Sequence, residues 1–341
     1  MRPSARAITI TVVAFVVVLI VTALIWLGWY DTYDDPQTTF NPKSDTADQV
    51  RGVYDLIIVL AGIVMVGVFT LTLAFSFVFR ERPGREAQAI HGNPRLEVFW
   101  TLIPVIIVVA IAVPTFQVIV DTTGDAPDNS LELVATGNQW WFEFEYPGLG
   151  VVTANELHLP VNQSVNVELR SNDVIHSFWV PQLTGKTDMV PGHDNRLWFT
   201  PEEEGVYLAQ CAEFCGTSHA NMRFRVFVQS QADFDAWVEA QIADRIAPEG
   251  DLAVAGEAIA TTICAACHTI RGTNAAAQIG PDLTHVGSRT TIASGMLENN
   301  TENLRAWLAD PPAEKPGSKM PNLNLTPEQL EQLVAYLQGL Q

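Results

Sequence analysis

The sequence predicts a three-part membrane protein: apolar helices first, a β-sandwich second, a small helical domain last. Three observations predict it. Long apolar windows are confined to the first third of the 341 residues, short alternating runs broken by turn residues fill the middle, and an Ala-rich stretch with helix caps closes the chain. Hydrophobic residues make up 48% of the chain, and a mean hydropathy of +0.15 is high for a wholly soluble protein.

The windows Ile8 to Trp29, Leu56 to Phe79 and Val98 to Val120 have the length and apolarity of membrane-spanning helices, and the second carries no charge at all. A basic start followed by an apolar core, as in the first window, fits either a retained helix or a secretory signal, but its length and the lack of an A-x-A site favour retention. Positive charge gives the orientation. Arg2 and Arg6 open the chain, and Arg80, Arg82, Arg85 and Arg95 lie between the second and third windows, so both stretches belong on the cytoplasmic side. The acidic segment Asp31 to Asp48 and everything after Asp121 then lie outside the cell membrane. A net charge of −19 argues against nucleic acid, whose phosphates would be repelled, and favours a cationic protein partner.

Beyond Asp121 the runs "LELVATGNQWWFEFEYP", "NELHLP", "SVNVELR", "NRLWFT", "GVYLAQC" and "MRFRVFVQ" read as strands of an antiparallel sandwich or barrel. A polar helical segment, "SQADFDAWVEAQIADRIAPEGD", leads to the last region, where "TPEQLEQLVAYL" carries a helix start. The expected boundaries are an apolar segment 1–30, an acidic linker 31–53, a helical hairpin 54–121, a sandwich 130–240, a linker 241–252 acting as a flexible tether, and a terminal domain 253–341.

The four cysteines, Cys211, Cys215, Cys264 and Cys267, all fall in the outer part, where two disulfides are the simplest expectation. Cys264 and Cys267 nevertheless form "CAACH", the attachment pattern of a c-type haem, with His268 as one axial ligand. Downstream, "IGPDLTHVGSR" offers a Gly-Pro turn for the haem edge, and "PGSKMPNLNL" offers Met320 as the opposite ligand. A Met/His pair suits electron transfer. His285 is a competing ligand but reads as a surface or propionate-side residue.

The other two cysteines stand in "CAEFCGTSHANM", with Glu213, His219 and Met222. Thiolates, imidazoles and a thioether together select copper, and a Greek-key sandwich is the usual housing for it. Two thiolates four residues apart on one loop can bridge a pair of copper ions; a second imidazole is then needed, and "NDVIHSFWVP" supplies His176.

These segments, "VIHSFWVPQLTGKTDMVPG" followed by "CAEFCGTSHANM", resemble subunit II of haem-copper cytochrome c oxidases, and the appended haem domain resembles the fused form in bacterial oxidases of the caa type. The resemblance implies a cupredoxin-like Greek-key β-sandwich and an all-α class I cytochrome c domain behind the helices. It implies a dinuclear copper (CuA) centre bridged by Cys211 and Cys215, with His176 and His219 terminal, Met222 a weak ligand and Glu213 giving its carbonyl. It also implies covalently bound haem c, a magnesium ion reached by the Glu213 carboxylate, and Trp140 of "NQWWFEFEYP" as the electron-input residue over the copper pair. The family's usual Trp-Tyr-Trp is Trp140, Trp141, Phe142 here, which puts the following positions in doubt. Glu97 in "LEVFWTLIP" matches the acid at the mouth of a proton path, although an acid in a first helical turn needs no further purpose. His91, His158 and His193 read as surface residues.

The implied function is the electron-input subunit of a proton-pumping terminal oxidase. It would work with the catalytic subunit I, other membrane subunits, and an external donor, a cytochrome c or a bc-type complex. The apolar windows hold no histidine, so the chain cannot itself bind haem and copper for oxygen reduction. The alternatives are a membrane-tethered electron carrier and the corresponding subunit of a copper-containing nitric oxide reductase; a quinol oxidase subunit is disfavoured by the full set of copper ligands.

Overall fold

The computed structural model describes residues 5–30, 35–81, 83–84 and 92–341, without the side chains of 28–30. Arg2, Arg82, Arg85 and His91 lie outside the described residues. The chain divides into two compact units, Met1–Asn41 with Asp48–Asp121, and Pro42–Ala47 with Thr122–Gln341.

In the first unit each apolar window is a helix: α1 (Ala5–Tyr30), α2 (Asp45–Val78) and α3 (Pro94–Thr123). All three are long and apolar enough to cross a membrane. Their apolar side chains point outward: Val68, Phe69, Ile106 and Phe116 are each more than half exposed, and no residue of α3 is buried. That outward face suits lipid, where the helix satisfies its own backbone groups. The helix α2 starts earlier than the expected boundary at residue 54. Ser44 Oγ accepts a bond from Ala47 N (3.1 Å), capping the helix within the stretch read as linker. Asn93 caps α3 through Arg95 N at 3.1 Å.

The second unit opens with ten strands: β1 (Leu131–Asn138), β2 (Trp141–Tyr146), β3 (Val151–Ala154), β4 (Glu156–Pro160), β5 (Val165–Ser171), β6 (His176–Trp179), β7 (Thr187–Met189), β8 (Asn195–Phe199), β9 (Gly205–Cys211) and β10 (Arg223–Gln229). They form two five-stranded sheets, ordered β3-β2-β1-β5-β8 and β4-β10-β9-β6-β7. The sandwich is as expected, but it is mixed rather than antiparallel. The strands β1 and β5 pair in parallel, as do β4 and β10. Between each parallel pair the chain crosses to the other sheet, which a run of hairpins could not achieve. Alternation buries Phe142, Phe144 and Tyr146 of β2 against Phe178 and Phe224, with the Phe142 and Phe224 rings 4.7 Å apart.

His158 corrects the surface reading. Its ring is stacked between Phe227 (4.6 Å) and Trp237 (4.2 Å) and bonded to Gln229 at 2.8 Å, because helix α4 (Gln231–Ile242) folds back over β4. His193 is exposed, as expected.

The last region packs α5 (Asp251–Ala260), α6 (Thr301–Ala309), the short α7 (Pro311–Glu314) and α8 (Pro327–Gln338) around Leu304, Leu333 and Leu337. A two-stranded ribbon, β11 (Thr291–Ile292) with β12 (Leu297–Glu298), adds to the all-α expectation. The segment read as a flexible tether is instead stitched down. Arg271 donates to the carbonyls of Gln241 and Ile242, Arg245 pairs with Glu257, and His285 Nε2 lies 3.1 Å from the carbonyl of Ala243. His285 is therefore 4% exposed rather than a surface residue.

Candidate metal centre

The loop 211–222 joins two paired strands, so sheet register sets its width. Arg223 faces Gln210, and Cys211 N bonds to the carbonyl of Met222 at 2.9 Å. Those constraints draw the soft donors together. Cys211 Sγ and Cys215 Sγ lie 3.8 Å apart with no disulfide. Each has its own imidazole: His176 Nδ1 is 3.9 Å from Cys211 Sγ, and His219 Nδ1 is 3.6 Å from Cys215 Sγ. Met222 Sδ is 3.8 Å from Cys215 Sγ, and the Glu213 carbonyl is 3.2 Å from Cys211 Sγ. All six predicted copper ligands thus converge. Two thiols, two imidazoles, one thioether and one carbonyl form a donor set that fits copper.

Protonation follows the same geometry. Hydrogen bonding from Cys215 holds the Cys211 thiol well below its usual range and, in turn, pushes Cys215 up, so Cys211 ionises first. Burial works against a charged His176, but the Cys211 sulfur and Asp173 outweigh it and raise its pKa. Asp173 Oδ1 accepts from His176 Nε2 at 2.8 Å, which leaves Nδ1 to face the thiols as a metal donor. Space for this ring comes from β1: a Cβ on Gly137 would lie 2.8 Å from the His176 ring.

Trp140 is 9% exposed, and its indole Nε1 donates to the carbonyl of Cys215 at 3.1 Å. It therefore touches the loop that carries both thiols. Glu213 and Phe214 project outward from the same loop, Phe214 being 76% exposed.

The "CAACH" segment is a 3₁₀ turn (Cys264–Ala266) that follows α5. Cys264 is buried and Cys267 half-buried, with both thiols free. His268 Nδ1 donates to the Pro281 carbonyl at 2.7 Å, leaving Nε2 for iron. Burial keeps its pKa below the usual value, which favours the neutral ring. A Cβ on Gly280 would stand 2.6 Å from His268 Cε1, so the expected Gly-Pro turn packs directly on the ring. Met320 is half-buried against the helical core in the irregular loop before α8. These residues fit a covalently held haem. Glu97 belongs to the first unit, exposed in the first turn of α3.

The sequence reading missed Asp173 and Gly137. The Asp three positions before His176 in "NDVIH" was the available signal.

A copper-binding sandwich behind membrane helices, with a haem-attachment domain in the same chain, defines a membrane-anchored electron-transfer protein. Residues 37–118 match the family described as cytochrome c oxidase subunit II, transmembrane domain, residues 149–230 its periplasmic domain, and residues 253–341 cytochrome c. Cytochrome c oxidase subunit 2 of Alkalihalophilus pseudofirmus is 38% identical over 312 residues, covering 89% of this chain and 90% of the relative. That of Bacillus subtilis is 32% identical over 329 residues, with 89% and 91% covered. The crystallised periplasmic domain of subunit II of Bradyrhizobium japonicum cytochrome oxidase is 31% identical, spanning 35% of this chain and 96% of that one, with a TM-score of 0.33. The chain belongs to the cytochrome c oxidase subunit II family, the electron-input subunits of haem-copper oxidases, and carries a cytochrome c domain fused behind the copper domain.

Proposed function

We propose that the chain binds a dinuclear CuA centre through Cys211, Cys215, His176, His219, Met222 and the Glu213 carbonyl, and haem c through Cys264, Cys267, His268 and Met320. When bound, these groups supply one-electron redox chemistry. The chain's own residues decide where electrons arrive and leave. Cys211 and Cys215 would hold the copper through their thiolates, and Asp173 holds the tautomer that would let His176 ligate. Trp140 joins the surface of the copper domain to Cys215 through its indole N–H. The Glu213 carboxylate, exposed beside Phe214, would hold a magnesium ion at the seam with the catalytic subunit. Glu97 marks the cytoplasmic mouth of a proton path, with the copper and haem domains on the other side of the membrane. An external cytochrome c or bc-type complex is the donor.

The observation that carries this reading is the pair of free thiols 3.8 Å apart, each with a separate imidazole. The test is the visible, near-infrared and paramagnetic spectrum of the purified oxidase. A hyperfine pattern from one electron shared between two copper nuclei, beside a low-spin haem band, is expected. A single-copper pattern, or a chain without covalent haem, would overturn it.

A further inference from the structure

The copper domain and the cytochrome domain meet inside one compact unit, and the residues between them are not those of a loose tether. Two ionisable side chains are buried at the junction, one from each domain, and each is 4% exposed. Glu156, at the start of β4, accepts from Thr290 N (2.7 Å), Thr290 Oγ1 (2.5 Å) and Thr291 N (3.1 Å) of the cytochrome domain. Lys315, from the cytochrome domain, donates to the carbonyl of Trp140 at 2.6 Å and to that of Ala293 at 3.3 Å. Ser294 Oγ donates to the same Trp140 carbonyl at 2.7 Å. On the other side of the junction, Ser218, next to His219, donates to the Pro316 carbonyl at 2.5 Å.

These contacts converge on one residue. The Trp140 carbonyl is held by the cytochrome domain, while its indole N–H is bonded to the carbonyl of Cys215. Gly317 closes over the indole. A Cβ there would stand 2.9 Å from Trp140 Cη2, and its φ of +84° is one that side chains resist. Gly317 lies three positions before Met320, so the loop bearing the expected haem ligand is the loop that covers Trp140. An exposed pair, Lys319 with Asp173 at 3.1 Å, sits at the rim with the lysine 60% exposed. By its exposure it ranks below the buried contacts, whose polar groups are hydrogen-bonded across the junction.

We infer that Glu156 and Lys315 are positioning residues that lock the cytochrome domain in one pose over Trp140, so that the fused domain both delivers electrons there and closes that face to any external donor. The inference rests on Trp140 being the input residue and on the haem site assigned above. The transfer it serves moves one electron and makes or breaks no bond. A fixed pose makes that transfer first-order and indifferent to ionic strength, whereas a domain swinging on a tether would respond to both salt and viscosity.

The test uses the assembled oxidase, with the natural chain compared to Lys315→Met and to Glu156→Ala. Backbone hydrogen exchange at 290–294 and in β4 is read first, because it reports the lock without any redox step. Strong protection in the natural chain, falling at least about tenfold in either variant, is expected, since protection tracks the closed fraction. Flash reduction of the haem then follows its oxidation by copper. The rate should drop with the docked fraction, by about tenfold or more, and become salt-dependent in the variants. A soluble cationic cytochrome c should gain a direct second-order route to copper. Retained protection and a salt-independent, unchanged rate in both variants would overturn the lock, as would direct reduction of copper by the soluble cytochrome in the natural chain. If a variant loses its haem or copper spectrum, Thr290→Val, which removes one donor to Glu156 and no charge, decides by the same exchange measurement. Absence of copper or haem from the natural chain would instead refute the cofactor assignment, and exchange would still judge the lock.

Discussion

Replacing Asp173 by Asn changes one oxygen to an amide nitrogen and should weaken copper binding through His176 without touching a ligand. In the natural chain Oδ1 accepts from His176 Nε2 (2.8 Å) and Val174 N (2.8 Å), and Oδ2 accepts from Gln139 N (2.7 Å) and Lys319 Nζ (3.1 Å). Four donors share two acceptors. An asparagine has one acceptor oxygen, so either His176 or Gln139 must face an amide N–H. If His176 faces it, the ring moves its proton to Nδ1, which points at the thiols and must be cleared before a metal can bind. If Gln139 faces it, a backbone N–H beside Trp140 is left unpaired. An unpaired buried donor costs about 1–3 kcal/mol. Loss of such an outer partner lowers metal affinity about 10–100-fold, or about 1.4–2.7 kcal/mol, and the two figures agree. Chelator competition for copper, followed by the copper spectrum, measures the effect, with haem content as the internal control. Lys319→Met should cost under about 1 kcal/mol, because that ion pair is exposed. Copper affinity of Asp173→Asn within twofold of the natural chain would show that Asp173 does not orient His176.

Four shorter predictions follow from other parts of the molecule. Cys215→Ser should abolish the shared-electron copper pattern, since that sulfur lies near His219, Met222 and the other thiol at once; a surviving two-copper pattern would refute bridging. Gly280→Val should block covalent haem incorporation or displace His268, because the new Cβ falls 2.6 Å from the ring; normal haem content and band position would count against the assignment. Burial holds His158 down to about 4 from an ordinary 6.5, although its bond to Gln229 works the other way, so between these values the unfolded chain binds a proton that the folded chain does not. Stability is then constant above 6.5 and falls as pH drops towards 4, by about 3 kcal/mol; denaturation at pH 7 and 4.5 should show a loss that His158→Phe removes, and an equal loss in both would refute it. Glu97→Gln should slow turnover of the assembled oxidase with copper and haem content unchanged, and full turnover would return Glu97 to a helix-start acid.

Much of the site was legible in the sequence because soft ligands are scarce and their spacing is local. Cys211, Cys215, His219 and Met222 fall within one hairpin loop, and Cys264, Cys267 and His268 within one turn, so short-range order almost fixes their proximity. His176 comes from another strand, so the sequence offered it only as the second imidazole that the chemistry of the loop requires. What was not legible depends on contacts between distant positions. Glu156 and Thr290 are 134 residues apart, and nothing in "NELHLP" marks the acid as buried. His158 read as a surface residue, and His285 as a surface or propionate-side residue, because polarity was the only guide. Their burial comes from α4 folding over β4 and from the chain after α4 lying against the cytochrome domain. The parallel pairing of β1 with β5 was hidden for the same reason: alternation reveals which face is inward, not which neighbour a strand chooses.

The hairpin that carries the copper ligands also determines how this site can be built and changed. Its ends are clamped by the β9–β10 register, Arg223 opposite Gln210, so the donors are spaced before any metal arrives. Five of the six proposed ligands travel on that one loop, and only His176 is contributed from outside. Such a loop behaves as a cassette. One residue inserted between Cys211 and Cys215 would ruin the spacing of the sulfurs while leaving both strands paired, whereas the whole stretch from 211 to 222 could be exchanged for another of different length. Transplanted between two paired strands of a foreign sandwich that supplies a histidine at the position of His176, with a glycine opposite in place of Gly137, the loop should carry its metal chemistry with it.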